Sequence, residues 1–165
     1  MADSTPSGLD ELLHDVPLVG RVEWIGIAAV RRAAMEVRAE VRAQPGQGIE
    51  GDHHGSRGGK RQVTLLQAEH LPVVGSLLGR GPADPARLRR NLVIAGINVY
   101  ALRNHRLRVG EVLLEGTGPC PPCRRMNATL GDGGYHAMRG HGGITAAVLE
   151  GGWIRVGDPV RLERK

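Results

Sequence analysis

The only two cysteines of the 165-residue chain, Cys120 and Cys123, stand in the stretch "GTGPCPPCRRM". Their C-x-x-C spacing admits three chemistries. A structural zinc site needs four ligands, usually two such pairs or one pair with two histidines. One pair is present, so His53 and His54, or His136 and His141, would have to complete it. A thioredoxin-like redox pair belongs between a strand and a helix of a βαβ unit. Here the surroundings read as antiparallel β, and two prolines fill the gap. The third chemistry is a single working thiolate. Positive charge favours the thiolate, the form that acts as nucleophile and metal ligand. Cys123 is followed at once by Arg124 and Arg125, at the expected start of a short helix, whereas Cys120 lies between prolines. Cys123 is therefore the better candidate, for catalysis and as a soft metal ligand.

Two further groups of residues could hold an anion. "ARLRRNLVIAG" clusters Arg87, Arg89 and Arg90 before Asn91 at a strand entrance. Arginine forks grip phosphate or carboxylate, and an Asn amide can orient the ligand. A solvated basic edge strand would look the same. In "GIEGDHHG", Gly48 and Gly51 permit tight turns, Asp52 can cap one, and His53 can hydrogen-bond a ligand. A plain surface loop is the alternative.

The composition narrows the partners. Twenty arginines and two lysines against 17 acidic residues give a net charge of +5. Such a surplus suits an anionic partner, although base composition can also raise arginine. Binders of single-stranded nucleic acid stack bases on aromatic rings. This chain has two Trp, two Tyr and no Phe, so a small phosphorylated ligand is expected rather than nucleic acid. No apolar run approaches the roughly 20 residues that span a bilayer. The N-terminus is acidic and lacks the apolar core of a secretory signal, so the expected location is the cytoplasm, away from membranes.

The elements that must position these residues read as mainly β. Residues 1–18 are expected to form a polar tail or short helix, and residues 19–165 one domain. "VGRVEWIGIAAV" is β-rich. "AMEVRAEVRA" alternates as a single strand with one wet face. A long glycine-rich loop covers residues 45–61. "QVTLL" and "LVIA" read as strands, with a short helix in "AEHLPVVGSLLG" between them. A hairpin turns near Val109–Gly110, and "RRMNATL" forms a short helix ending at Gly131. The C-terminal part runs strand, turn, strand, turn, strand. Short strands with few helices predict a closed or nearly closed β-barrel built on an aliphatic core.

Taken in order, "GIEGDHHG", "RQVTLLQAEHL", "LRRNLVIAGINVYAL", "LRVGEVLLEGTGPCPPCRRMNAT" and "IRVGDPVRL" resemble the MOSC family, named for the C-terminal domain of molybdenum cofactor sulfurases. The likeness spans roughly residues 19–163. It implies a β-barrel that binds a molybdenum–molybdopterin cofactor or handles sulfur on a cysteine. The family cysteine matches Cys123, the molybdenum ligand in reductase members and the persulfide carrier in the sulfur-transfer role. The arginine-x-Asn element matches Arg89 and Asn91, with Arg124 a further cofactor contact. Gln67 falls where the reductases have a small hydroxyl residue. Pro122 replaces an arginine that can precede the cysteine. The implied partners are a cysteine desulfurase or, for a reductase of N-hydroxylated compounds, a separate electron-transfer protein. A zinc-stabilised binding module is the non-enzymatic alternative.

Overall fold

The structure, a computed structural model, describes residues 8–16, 18–55 and 58–164. A first helix, α1 (Gly8–His14), precedes strands β1 (Gly20–Ile27), β2 (Glu36–Arg38), β3 (Glu40–Gln44) and β4 (Gly48–Ile49). After the glycine-rich loop come β5 (Val63–Gln67), helices α2 (His70–Leu77) and α3 (Pro85–Leu88), and β6 (Leu92–Ala95). The hairpin β7 (Arg106–Val109) and β8 (Val112–Pro119) leads to helices α4 (Arg125–Leu130) and α5 (Gly134–Met138). The chain closes with β9 (Ile144–Glu150), β10 (Gly152–Arg155) and β11 (Pro159–Leu162).

Seven strands close into a barrel in the order β11-β7-β8-β9-β5-β6-β1, with β1 returning to β11 through Gly20↔Val160 and Arg21↔Pro159. The expected closed β-barrel is thus the observed fold. One junction is parallel, β5 with β6. A parallel pair needs a long crossover, and here it carries α2 and α3 over the outside of the barrel. The crossover delivers Arg89, Arg90 and Asn91 to the start of β6.

β6 shows why its residues had to be apolar on both faces. Leu92 and Ile94 pack inside the barrel, while Val93 joins Leu66, Met126, Leu130 and Met138 under the helices. A strand covered on both sides reads as a continuous hydrophobic run. In β1 the register shifts between Val22 and Trp24. That bulge lets Val22, Ile25 and Ile27 face the interior while Trp24 packs against the outer cluster.

The single alternating strand expected over residues 35–42 is corrected. It is two strands, β2 and β3. Val37 is 64% exposed because β2 pairs only with the end of β1, outside the barrel wall. Beyond Ala39 the chain crosses to a three-stranded sheet, β10-β3-β4, where Val41 and Ala43 are buried.

Asn91 stitches three barrel strands. Its Oδ1 accepts from the Thr64 backbone N–H and hydroxyl, each at 3.1 Å, and its Nδ2 donates to the Gly26 carbonyl at 3.1 Å. Its own N–H reaches Thr64 Oγ1 at 2.9 Å, and its carbonyl accepts from Gly26 N at 2.8 Å. Removing a buried amide leaves several of these groups unpaired. Asn91→Ala should therefore cost about 2–4 kcal/mol in urea unfolding. A loss under about 0.5 kcal/mol, the range of an ordinary surface change, would contradict this role.

Candidate functional site

The cysteine loop is fixed from below by Arg90, a buried residue. Its Nε donates to Gly142 O at 2.9 Å, Nη1 to Leu88 O at 3.0 Å, and Nη2 to Cys120 O at 3.2 Å. Pro121 and Pro122 have no N–H to offer, so the loop is gripped by its carbonyls. Cys120 N also donates to Gly143 O at 2.9 Å. Gly142 permits this approach, since a Cβ there would lie 2.1 Å from Cys120 O. Both thiols are free; Cys120 is buried and Cys123 is exposed.

Arg89, next to this clamp, points elsewhere. It ends α3 in the left-handed conformation with φ 59°. Among the described residues only one other non-glycine, Arg32 with φ 69°, has positive φ. Arg89 Nη1 donates to Ala33 O at 2.7 Å, tying it to the loop that follows β1. Its Nη2 is buried with no hydrogen-bond partner. Burial lowers the Arg89 pKa, and the like charge of Arg125 lowers it further, while Asp52 and Cys123 act in the opposite direction. Arg89, Arg125, Asp52 and Cys123 thus share one electrostatic neighbourhood. An orphaned guanidinium nitrogen is expensive unless something accepts from it, which makes it a mark of a ligand position.

Asp52 braces the same loop from the other side. Its Oδ1 accepts from Ala28 N at 2.9 Å, and its Oδ2 lies 3.3 Å from both His54 N and His54 Nδ1. Ala28 O in turn accepts from His53 N at 2.9 Å and from His53 Nδ1 at 3.0 Å. Burial works against the Asp52 carboxylate, but the hydrogen bonds from His54 and Ala28 outweigh it and hold its pKa below the usual value. The stability this supplies is complete above the unfolded-state pKa, near 4. It is lost as pH falls through the lower folded value. Asp52→Asn should therefore lower neutral-pH stability and flatten the acid limb of a pH–stability curve. An unchanged acid limb would contradict it.

The expected site residues separate in space. Cys123, Arg89, Asp52 and His53 gather around the loop after β1. Asn91 lies one step away, with its side chain committed to the barrel wall. Gln67 stands at the far end of β5, paired with Ile94 in register while Asn91 is bonded to Thr64. Its Oε1 accepts from Val99 N at 2.8 Å and its amide donates to Glu69. Arg124 is exposed at the N-cap of α4, whereas the half-buried Arg125 faces Arg89. The helical repeat explains the choice. Met126 and Leu130 turn α4 onto the outer cluster, and a residue two positions before Met126 lies on the opposite face. That pattern was available in "CRRMNATL". The zinc alternative weighed for the C-x-x-C pair finds no such ligand cluster among the described residues. There the His, Cys, Asp and Glu side chains close enough to share a metal are Asp52, His53 and His54, without a cysteine.

The closed barrel thus presents one exposed thiol, Cys123, with the half-buried Arg89 and Arg125 in its neighbourhood. The MOSC domain model matches residues 50–161, and the chain belongs to that family. No curated protein matches the chain significantly. Among solved structures, the YuaD protein from Bacillus subtilis aligns with a TM-score of 0.76 at 19% identity, covering 88% of this chain and 97% of its own. YiiM from Geobacillus stearothermophilus aligns with a TM-score of 0.72 at 17% identity, covering 88% and 75%. YiiM from Escherichia coli gives 0.61 at 21%, covering 88% and 70%. At these identities the likeness concerns the fold.

The two cysteines should differ sharply in accessibility. Native protein treated with iodoacetamide at neutral pH should be modified at Cys123 at least about tenfold faster than at Cys120. Equal rates, read by peptide mass spectrometry, would contradict the arrangement.

Proposed function

We propose that this MOSC barrel binds a molybdenum–pterin cofactor, or carries sulfur destined for a metal–sulfur cofactor, through Cys123. The observation that carries the reading is the exposed Cys123 thiol beside Arg89, whose buried Nη2 lacks an acceptor. The residues fit such a group. A thiolate is a suitable ligand for a soft metal–sulfur centre. Arg89 and Arg125 offer positive charge to an anionic pterin phosphate, and Asp52 and His53 hold the loop against which Arg89 is set. When bound, the cofactor would supply two-electron redox and oxygen- or sulfur-transfer chemistry. The protein's contribution is to present the thiol, neutralise the anion and keep the loop in place.

In the carrier role the Cys123 thiolate attacks the outer sulfur of a desulfurase persulfide. The S–S bond of the donor breaks, the donor cysteine leaves as a thiolate, and Cys123 holds the persulfide. Arg89 and Arg125 would stabilise the anion before and after transfer. The open approach to Cys123 also supports a second reading, reduction of N-hydroxylated compounds with electrons from a separate protein. Two free thiols suit a reducing compartment, which favours the cytoplasm. No helix among the described residues is long and apolar enough to cross a membrane.

Protein produced in cells that make the cofactor decides the matter. Molybdenum by mass spectrometry and pterin by fluorescence should each approach about one per chain in the native protein and in Cys120→Ala. Both should fall at least about tenfold in Cys123→Ala and in Arg89→Met, since each removes a direct contact. Retention of full molybdenum by Cys123→Ala would contradict the assignment.

A further inference from the structure

Strand β2 is the free end of the eight-stranded sheet. It pairs with β1 and, among the described residues, with no other strand. All three of its residues are exposed. Its register with β1 is Ile25↔Arg38, Gly26↔Val37 and Ile27↔Glu36. Along an antiparallel pair, residues that exchange hydrogen bonds alternate with residues whose N–H and C=O point away. Gly26 turns both groups away from β2: its N–H donates to Asn91 O at 2.8 Å, and its carbonyl accepts from Asn91 Nδ2 at 3.1 Å. Gly26↔Val37 is therefore a pair without mutual hydrogen bonds. The N–H and C=O of Val37 face outward from the sheet edge, where no strand of the described chain meets them. Such an edge is a template for another strand.

Charged side chains on an edge strand commonly deter pairing. In Glu36-Val37-Arg38 their order favours one partner, a second copy of β2 running antiparallel. With Val37 opposite Val37 of the copy, Glu36 stands opposite Arg38 of the copy, and Arg38 opposite its Glu36. Sliding the copy by two residues keeps the hydrogen-bonding phase but opposes Glu36 to Glu36 in one direction and Arg38 to Arg38 in the other. Like charges directly opposite one another destabilise a strand pair, and opposite charges favour it. Sliding by one residue sets the outward groups of Val37 against a residue whose groups point inward. Charge and phase thus select a single register. Within one chain Arg38 Nη2 lies 2.6 Å from Glu36 Oε2, with both side chains about half exposed. The pairing joins two such ion pairs into a ring of alternating charge, and on the other face it covers the exposed Val37 side chain with its copy.

We propose that β2 is a self-recognition edge, at which two copies of the chain pair antiparallel about a two-fold axis beside Val37. The two Val37 residues exchange main-chain hydrogen bonds, and Glu36–Arg38 ion pairs flank them. The contact is isologous, so it closes at two copies. β2 lies outside the barrel wall, so both barrels keep their strand order while the two sheets become continuous. The edge also follows the loop whose Ala33 carbonyl accepts from Arg89, which places the contact next to the candidate site. The inference uses neither Cys123 nor the cofactor reading.

The contact is small, so a weak dimer is expected, with a Kd of about 0.01–1 mM. Sedimentation velocity of the untagged full chain over about 0.01–2 mM spans that range. Glu36→Arg and Arg38→Glu each oppose like charges, and each should weaken self-association at least about tenfold. Mixed in equal amounts, the two variants should associate again, because each supplies the charge that the other lacks. The double variant E36R/R38E should also associate on its own. Val37→Pro, which removes the donated N–H, should stay monomeric. Association of the mixture shows at the same time that both variants are folded. A native chain that stays monomeric throughout, a dimer unaffected by either charge reversal, or single variants that fail to associate when mixed would overturn the proposal.

Discussion

The guanidinium of Arg90 is a buried charge, and its demand for acceptors organises the site. A buried cation is tolerated only where its donors are met. Arg90 meets them with backbone carbonyls from three separate segments: Leu88 at the end of α3, Cys120 in the loop after β8, and Gly142 in the loop before β9. The β8–β9 ladder and the Cys120 N–Gly143 O bond already set two of these segments side by side, and Arg90 fastens both to the end of α3. The fastening fixes Cys120 inside, and Cys123, three residues on, is carried to the surface.

Three consecutive residues then divide the work. Arg89 leaves α3 in a left-handed conformation and turns towards the loop after β1. Arg90 turns into the cysteine loop. Asn91 turns into the barrel wall and joins β1, β5 and β6. The parallel β5–β6 junction makes this possible, because its crossover brings the triplet in from outside the barrel. Loop strain at Arg89 is offset by this support on both sides, consistent with the way unusual backbone conformations persist at functional positions.

The barrel was legible from short strands, turn signals and an aliphatic composition, and β6 from its unbroken apolar run. The pairing of β2 outside the wall was not, because the alternation of "AMEVRAEVRA" is the same whether one strand or two carry it. Cys123 was legible from its arginine neighbours. The roles of Arg89, Arg90 and Asn91 were only partly so. A run of polar residues at a strand entrance shows that something polar is needed there, but not which side chain meets backbone and which is left with an unpaired nitrogen. Arg125 rather than Arg124 follows from the helix face set by Met126 and Leu130. Gln67 shares a strand with Thr64, but β5 carries it away from the arginine cluster. The Asp52–Ala28–His53 link joins segments that no local pattern connects.

Arg90 acts through the cysteine loop rather than through the barrel as a whole. Hydrogen exchange in Arg90→Met, followed by mass spectrometry, tests this directly. Exchange should be faster in peptides covering residues 118–127 and 140–143, with the strands β1, β5 and β6 unchanged. Unaltered exchange in those loops, or a uniform rise across the barrel, would contradict it.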